Sequence, residues 1–258
     1  GIVTFLGFHL TGKVPVMINF TAGAYSMVGA CQTLDLKVVI SSRKFIKLGE
    51  LEPLEKALLD AGMKIIYLED VAKRIKLADK ISGVLAAVFC RVPKTPAADP
   101  VAILFTSGTE GLPKSVFISH KNVLYNKEQC LTVLSVNSGD RLFNCLPLFH
   151  VFGLGVGTVL PLTSGMKVFF YPSPLHFRIV PKLFYESQST VICGTDTFLA
   201  GYARYGRPYD FCNARLVIEG AEKLRETTYQ TWRDKFGVEI KEGYGATETS
   251  PVLAVNTD

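Results

Sequence analysis

The sequence predicts an α/β protein, layered, with largely parallel sheets flanked by helices. Three observations carry that prediction. Short, nearly continuous apolar runs alternate with stretches of helical periodicity along the chain, the pattern of strands buried on both faces between helices. Glycines stand where two of those helices must stop. And 48% of the 258 residues are hydrophobic against 20% charged. That fills the core of one large domain or two modest ones and excludes a disordered chain.

Strands are expected at Lys37–Ser41, Lys64–Leu68, Ala102–Thr106, Ser115–Ile118, Lys167–Tyr171, Thr190–Cys193, Leu216–Glu219 and Glu239–Glu242. Each is short and rich in Val, Ile, Leu or Phe. Helices are expected at Ala22–Leu34, Leu51–Ala61, Asn122–Val133, Val151–Leu162, Arg178–Glu186, Asp196–Tyr205 and Arg225–Phe236. Gly62 and Gly237 follow the second and the last of them, as left-handed stop residues. The segment Arg91–Pro100, RVPKTPAADP, carries three prolines and no periodicity. It reads as a linker or crossing loop that separates an N-terminal portion from the rest. No internal repeat is visible.

Charge and cysteine usage narrow the function. With 28 Lys+Arg against 23 Asp+Glu the net charge is +5 and the pI about 8.8. No basic run forms a stripe that would neutralise a phosphate backbone, so nucleic acid is excluded as a partner. A mildly basic chain suits small acidic ligands such as nucleotides and carboxylates. The six cysteines, Cys31, Cys90, Cys130, Cys145, Cys193 and Cys212, form no CxxC pair. They read as mostly buried free thiols of a reducing compartment, with neither a disulfide framework nor a zinc site. Gly1 leads straight into Ile2-Val3-Thr4-Phe5, without the basic region or cleavage site of a secretory signal. From Leu142 to Met166 there is no Asp, Glu, Lys or Arg, a length that could span a bilayer. Pro147, Pro161 and the glycines from Gly153 to Gly165 break it, which favours a buried strand, loop and helix.

Four stretches carry chemistry. Ile103–Lys121, ILFTSGTEGLPKSVFISHK, runs from an apolar strand into a loop dense in hydroxyls and glycines with one cation, Lys114. Hydroxyls and exposed backbone N–H groups wrap phosphate oxygens there, and glycines let the backbone come close. It nearly matches the phosphate loop of strand–GxxxxGK[ST]–helix proteins, with Gly108, Lys114 and Ser115 at the right offsets. Pro113 stands at the second glycine, however, and an apolar run follows instead of a helix. That family is therefore excluded. Glu242–Thr249, EGYGATET, places a ring, a hydroxyl and a carboxylate within a few positions. It is either a glycine-rich turn or a stacking ring with an oxygen ligand for Mg²⁺. Val217–Lys223, VIEGAEK, ends a strand in small residues, either a turn or a ledge for a flat ligand. Leu146–Leu154, LPLFHVFGL, holds His150, which alone reads as a hydrogen-bonded core residue. No GxSxG elbow accompanies it, so a hydrolase triad is unsupported.

In order and spacing, TSGTEGLPKS, LPLFHVFGL, EGAEKL and GYGATE resemble the motifs of the adenylate-forming superfamily, the AMP-binding enzymes that include acyl-CoA synthetases, luciferases and peptide synthetases. NFTAG, YPSPLHFRIVP, GTDTFLAGYAR and WRDKFG look like one subgroup within it. Those are acyl-acyl carrier protein synthetases joined to a lysophospholipid acyltransferase domain. The resemblance implies that the chain is a fragment of the large N-terminal domain of such an enzyme over residues 1–258, with the small C-terminal domain and its lysine absent and little turnover alone. It also implies a location at the cytoplasmic side of the bacterial inner membrane.

The implied reaction uses ATP and Mg²⁺. A fatty acid carboxylate attacks the α-phosphate, giving an acyl-adenylate and pyrophosphate. The acyl group then passes to the thiol of acyl carrier protein and serves reacylation of 2-acylglycerophosphoethanolamine, a lysophospholipid. By resemblance, Thr106, Ser107, Gly108, Thr109, Gly111 and Lys114 form the phosphate loop. Gly220, Ala221 and Glu222 line the adenine, and Gly243 and Tyr244 belong to the nucleotide motif, with Tyr244 stacking on the base. Thr247 touches the α-phosphate, Glu248 holds Mg²⁺, and His150 sits where carboxylate and thiol meet. The uncharged run Leu142–Met166 becomes a wall of the acyl pocket. Ser115 departs from the family's usual glycine. Coenzyme A as the thiol acceptor, and a non-catalytic nucleotide- or lipid-binding module, are the alternatives.

Overall fold

A computed structural model describes residues 1–89, 93–106 and 113–257. The chain divides into two compact units, the first Gly1–Pro96 with Phe105–Phe117 and the second Ala97–Leu104 with Ile118–Asp258.

The first unit is mostly helical. Helices α1 (Ile2–Leu10) and α2 (Gly23–Thr33) precede strand β1 (Val38–Ser41), then α3 (Arg43–Leu48) and α4 (Glu52–Asp60) lead to β2 (Lys64–Tyr67). β1 and β2 pair in parallel, Val39 opposite Ile65. A small core of Met27, Cys31, Leu58 and Met63 lies beneath them. Gly62 takes the left-handed conformation at φ 82°, as its stop position requires. Ser42 caps α3 and also donates to the Glu69 carboxylate at 2.7 Å. Helices α5 (Leu68–Arg74) and α6 (Leu77–Val88) complete the unit's own helices.

Strands β3 (Pro100–Thr106) and β4 (Lys114–Ser119) pair with each other. Pro100 opens β3, a position where a missing N–H costs no ladder bond. Ser119 caps α7 (His120–Val133), its hydroxyl accepting from Asn122 N–H while the Asn122 amide oxygen accepts from Ser119 N–H.

The second unit is built on a six-stranded sheet. Its strands are β5 (Arg141–Asn144), β6 (Lys167–Phe170), β7 (Val191–Gly194), β8 (Leu216–Gly220), β9 (Ile240–Gly245) and β10 (Val252–Val255), in the spatial order β10-β9-β8-β7-β5-β6. Every pair is parallel except β9–β10 at one edge. Leu142, Val191 and Leu216 stand side by side and face one core with Cys193, Ile218, Phe152 and Leu160. Phe143, Ile192 and Val217, the next residue on each of these strands, face the other core with Ile240 of β9, Phe184, Tyr202, Phe211 and Trp232. Successive strand residues point to opposite faces, so a sheet covered by helices on both sides needs strands that are apolar throughout. The helices on the second core are α10 (Val180–Glu186), α11 (Asp196–Tyr205) and α12 (Glu226–Phe236). Trp232, fully buried, donates its indole N–H to Leu199 O at 2.9 Å.

The uncharged run Leu142–Met166 folds as β5, a loop and one long helix. That helix is α8 (Val151–Leu154), a π turn at Gly155–Val159, and α9 (Leu160–Thr163). Among the described residues no helix is long and apolar enough to cross a membrane. Cys31, Cys130, Cys145 and Cys193 are buried free thiols, whereas Cys212 is exposed. Cys90 lies outside the described residues.

Candidate functional site: a cleft at the carboxyl ends of the parallel strands

After β5 the chain turns through Cys145–Phe149 and reaches His150, which caps α8. Its Nδ1 accepts from Phe152 N–H at 3.3 Å, and its backbone carbonyl accepts from Leu154 N–H at 2.9 Å. With Nδ1 accepting, the neutral ring carries its proton on Nε2, the nitrogen left to face a ligand. His150 is exposed, yet the apolar groups crowded around the ring lower its pKa from the ordinary value by desolvation.

Two close approaches lock this turn. A Cβ at Gly153 would overlap the carbonyl oxygen of Pro147, and one at Gly157 would collide with the Asn144 amide. Asn144 is buried, and it uses that room. Its Nδ2 donates to Gly157 O at 2.6 Å and its Oδ1 accepts from Leu146 N–H at 3.0 Å. A single amide thus ties the end of β5 to the π turn.

His150, Gly220, Ala221, Gly243, Tyr244 and Thr247 line one cleft of about 220 Å³ within the second unit. They come from the carboxyl ends of β8 and β9 and the segment after β5, the place where open α/β sheets take their ligands. Val151, Phe152, Val156, Ile218 and Val252 supply apolar wall. The volume lies below the ~300–1,000 Å³ of a complete small-molecule pocket. Gly220 stands against the Phe152 ring, and a Cβ at Gly243 would approach Glu219 O to 3.1 Å. Tyr244 holds its ring out, 70% exposed. Bare backbone beside an exposed ring fits a flat heterocycle.

Glu222 and Glu248 are not among the lining residues. The Glu222 carboxylate accepts from Thr197 N–H at 2.9 Å, in the first turn of α11. Glu248 lies exposed on the 3₁₀ turn Thr247–Thr249. No group of three metal-ligating side chains occurs among the described residues. A single carboxylate nevertheless matches the way Mg²⁺ is held, by one or two carboxylates together with phosphate oxygens and water. Thr106 ends β3 and Lys114, exposed, begins β4. Ser107, Gly108, Thr109 and Gly111 lie outside the described residues.

One lining residue carried no role in the sequence reading. Glu219 is completely buried near the end of β8, and neither carboxylate oxygen has a hydrogen-bond partner. Burial pushes its pKa up to about 7 and the Glu242 carboxylate adds to that, while the nearby backbone of Glu222 and of Asp196 favours the charged form without making a hydrogen bond to it. Asp196 nearby goes the other way. Burial works against its charge, but Arg225 N–H, the Thr228 hydroxyl and the Arg225 guanidinium hold its pKa below the ordinary value. An acid inside the apolar run LVIEG was the available signal, since an unpaired carboxyl is costly there.

The fold and cleft define a class: an open, mostly parallel α/β sheet protein with a cleft at the carboxyl ends of its strands. A family model for AMP-binding enzymes matches residues 1–258, and the chain belongs to that family. The 4-coumarate–CoA ligase of Vanilla planifolia is 26% identical over 268 aligned positions, which cover 98% of this chain and 47% of the relative. A long-chain-fatty-acid–CoA ligase of Bacillus subtilis (strain 168) is 29% identical over 173 positions, 64% of this chain and 30% of the relative. A benzoate CoA ligase structure from Burkholderia xenovorans LB400 superposes with a TM-score of 0.80 at 22% identity, covering 99% of this chain and 50% of that one. The fold is that of the N-terminal domain of adenylate-forming enzymes. The chain spans half or less of the length of these relatives.

Proposed function

We propose that this chain carries the carboxylate-activating site of an ATP-dependent fatty acid ligase. The observation that supports it best is the cleft itself, which gathers residues of three separated motifs, His150, Gly220-Ala221 and Gly243-Tyr244-Thr247, at one sheet edge. In this reading the adenine lies on the Gly220–Ala221 backbone against Tyr244, and Thr247 donates its hydroxyl to the α-phosphate. Thr106, Ser107, Gly108, Thr109, Gly111 and Lys114 bind the outgoing phosphates. His150 presents Nε2–H to the substrate carboxylate or the new acyl carbonyl. Glu248 holds Mg²⁺, which supplies charge neutralisation when an anion attacks a polyanion. A carboxylate oxygen bonds to the α-phosphorus as pyrophosphate leaves, and a thiol sulfur then takes the acyl carbon as AMP leaves.

The acceptor thiol belongs, in our reading, to acyl carrier protein, with the acyl group passing on to 2-acylglycerophosphoethanolamine at the cytoplasmic face of the bacterial inner membrane. The subgroup strings NFTAG, YPSPLHFRIVP and GTDTFLAGYAR support it. Coenzyme A is the second reading, favoured by the names of the relatives, which are CoA ligases. Calorimetry of this chain with ATP·Mg²⁺, and with a non-hydrolysable fatty acyl-adenylate analogue, tests the site. Binding of the analogue that is lost in Tyr244→Ala is expected. Equal binding by wild type and variant overturns the assignment. Acyl transfer to carrier protein against coenzyme A, measured in the longer enzyme, separates the two acceptors.

A further inference from the structure

Nineteen consecutive residues, Val71–Phe89, are all exposed. They contain α6, and within that helix the large apolar side chains recur at one spacing. Leu77, Ile81, Val84, Leu85 and Val88 stand at i, i+4, i+7, i+8 and i+11, followed by Phe89 at i+12. At 100° per residue these fall on a single stripe, and each is between 51% and 73% exposed. Asp79, Ser82 and Ala86 occupy the opposite side. A helix made amphipathic by its sequence, with its apolar stripe turned to water, is built to be covered.

The charges indicate by what. Lys73, Arg74 and Lys76 lead into the helix and Lys80 flanks the stripe, while Asp79 is the one acid between Val71 and Phe89. The Asp79 carboxylate is engaged at the helix start, accepting from Lys76 N–H at 2.8 Å. A second copy of this chain would bring the same four cations against the stripe. An anionic lipid surface offers the opposite charge together with an apolar layer at the depth of a helix radius. Twelve residues of helix reach about 18 Å, short of the ~30 Å hydrocarbon core, so the helix lies along the surface.

We propose that α6 is a membrane-surface helix that docks on anionic bilayers. Leu77, Ile81, Val84, Leu85, Val88 and Phe89 sink to the acyl boundary, and Lys73, Arg74, Lys76 and Lys80 remain among the headgroups. Docking there would hold the protein where water-poor acyl chains are found. The proposal is independent of the ligase reading, because binding is measured without turnover.

The test is co-sedimentation of the 258-residue chain with vesicles of phosphatidylcholine, pure or mixed with phosphatidylglycerol. Binding to the anionic vesicles, weakened by salt and by removal of phosphatidylglycerol, is expected. Ile81→Glu/Leu85→Glu lowers the partition at least about tenfold, and Lys76→Glu/Lys80→Glu lowers it several-fold on anionic vesicles alone. All four side chains are exposed, so folding is not at stake, and an unchanged far-ultraviolet circular dichroism spectrum of the whole chain verifies that. Wild-type chain that stays in the supernatant overturns the proposal, as does undiminished binding by Ile81→Glu/Leu85→Glu. A concentration-dependent dimer abolished by that variant, without vesicle binding, assigns the stripe to a second copy and overturns it too.

Discussion

Replacing Glu219 by Gln removes one ionisation from the middle of the second unit's sheet while keeping the side chain's volume. The folded pKa of Glu219 is about 7, against an ordinary 4.5. The native state therefore holds its proton more tightly than the unfolded chain does. That contribution is fully present below pH 4.5 and is lost as the pH rises through 7. At about 1.4 kcal/mol per pH unit the difference amounts to about 3 kcal/mol. Urea unfolding followed by Trp232 reads the right unit, because this residue is the chain's one tryptophan and is fully buried there. Wild type should lose about 2–3 kcal/mol relative to Glu219→Gln between pH 5 and pH 8, the variant being the more stable at the alkaline end. Taking the difference between the two proteins cancels every other titration they share. Stability curves that stay parallel within about 0.5 kcal/mol across that range would refute an unpartnered buried acid at this position.

Three further outcomes follow from the same geometry. Gly153→Ala should cost about 2 kcal/mol or more, since its Cβ meets the Pro147 carbonyl, backbone against backbone; an unchanged urea midpoint would contradict that. Arg215→Ala takes the guanidinium from buried Asp140, whose Oδ1 it meets at 3.0 Å. The Asp140 pKa lies below its ordinary value, burial being outweighed by Arg215, Asn137 N–H and the Thr190 hydroxyl, so its stabilisation is present above the unfolded pKa and lost as the pH falls through the folded one. The variant's deficit, about 1–2 kcal/mol at pH 7 after allowing for the partly exposed Arg215, should thus shrink toward pH 3 in acid titration. Tyr244→Ala should leave the unfolding midpoint in place and weaken AMP or ATP binding about tenfold, read by calorimetry, as loss of a stacked ring does.

The strands were largely legible because seven of them are near-continuous apolar runs, and helices, two of them with glycine stops, lie among them. β5 escaped because Arg141-Leu-Phe-Asn has two apolar residues between polar ends, and its identity depends on Leu142 meeting Val191. β10 escaped for a related reason: four residues at an edge, held by β9 and by the Asn126 side chain, whose Oδ1 accepts from Val252 N–H at 3.1 Å. α6 (Leu77–Val88) escaped as well. Its spacing is ordinary for a buried helix, and only the fold reveals the stripe in water. In the cleft, His150, Gly220 and Tyr244 were readable as motif residues, because bare backbone and a free ring are properties of residue type. The direction of Glu222 was not readable, since the N-terminus of α11, twenty-five residues away in sequence, decides it. Nor was the isolation of Glu219, which is a statement about which donors fail to reach it.

The π turn at Gly155–Val159 makes the long helix behave as two screws cut out of phase. A residue more than a regular helix would use is taken up there, and each residue in an α-helix turns the chain by about 100°. Phe152, Val156 and Leu160 all pack into one core of the sheet, and Phe152 and Val156 also wall the cleft. Deleting one residue between Gly155 and Val159 would restore the pitch and swing the His150 end around the axis relative to Leu160. The orientation of the imidazole is thus stored several residues downstream of it, as a count of residues, and the Asn144 amide clamps that count in place.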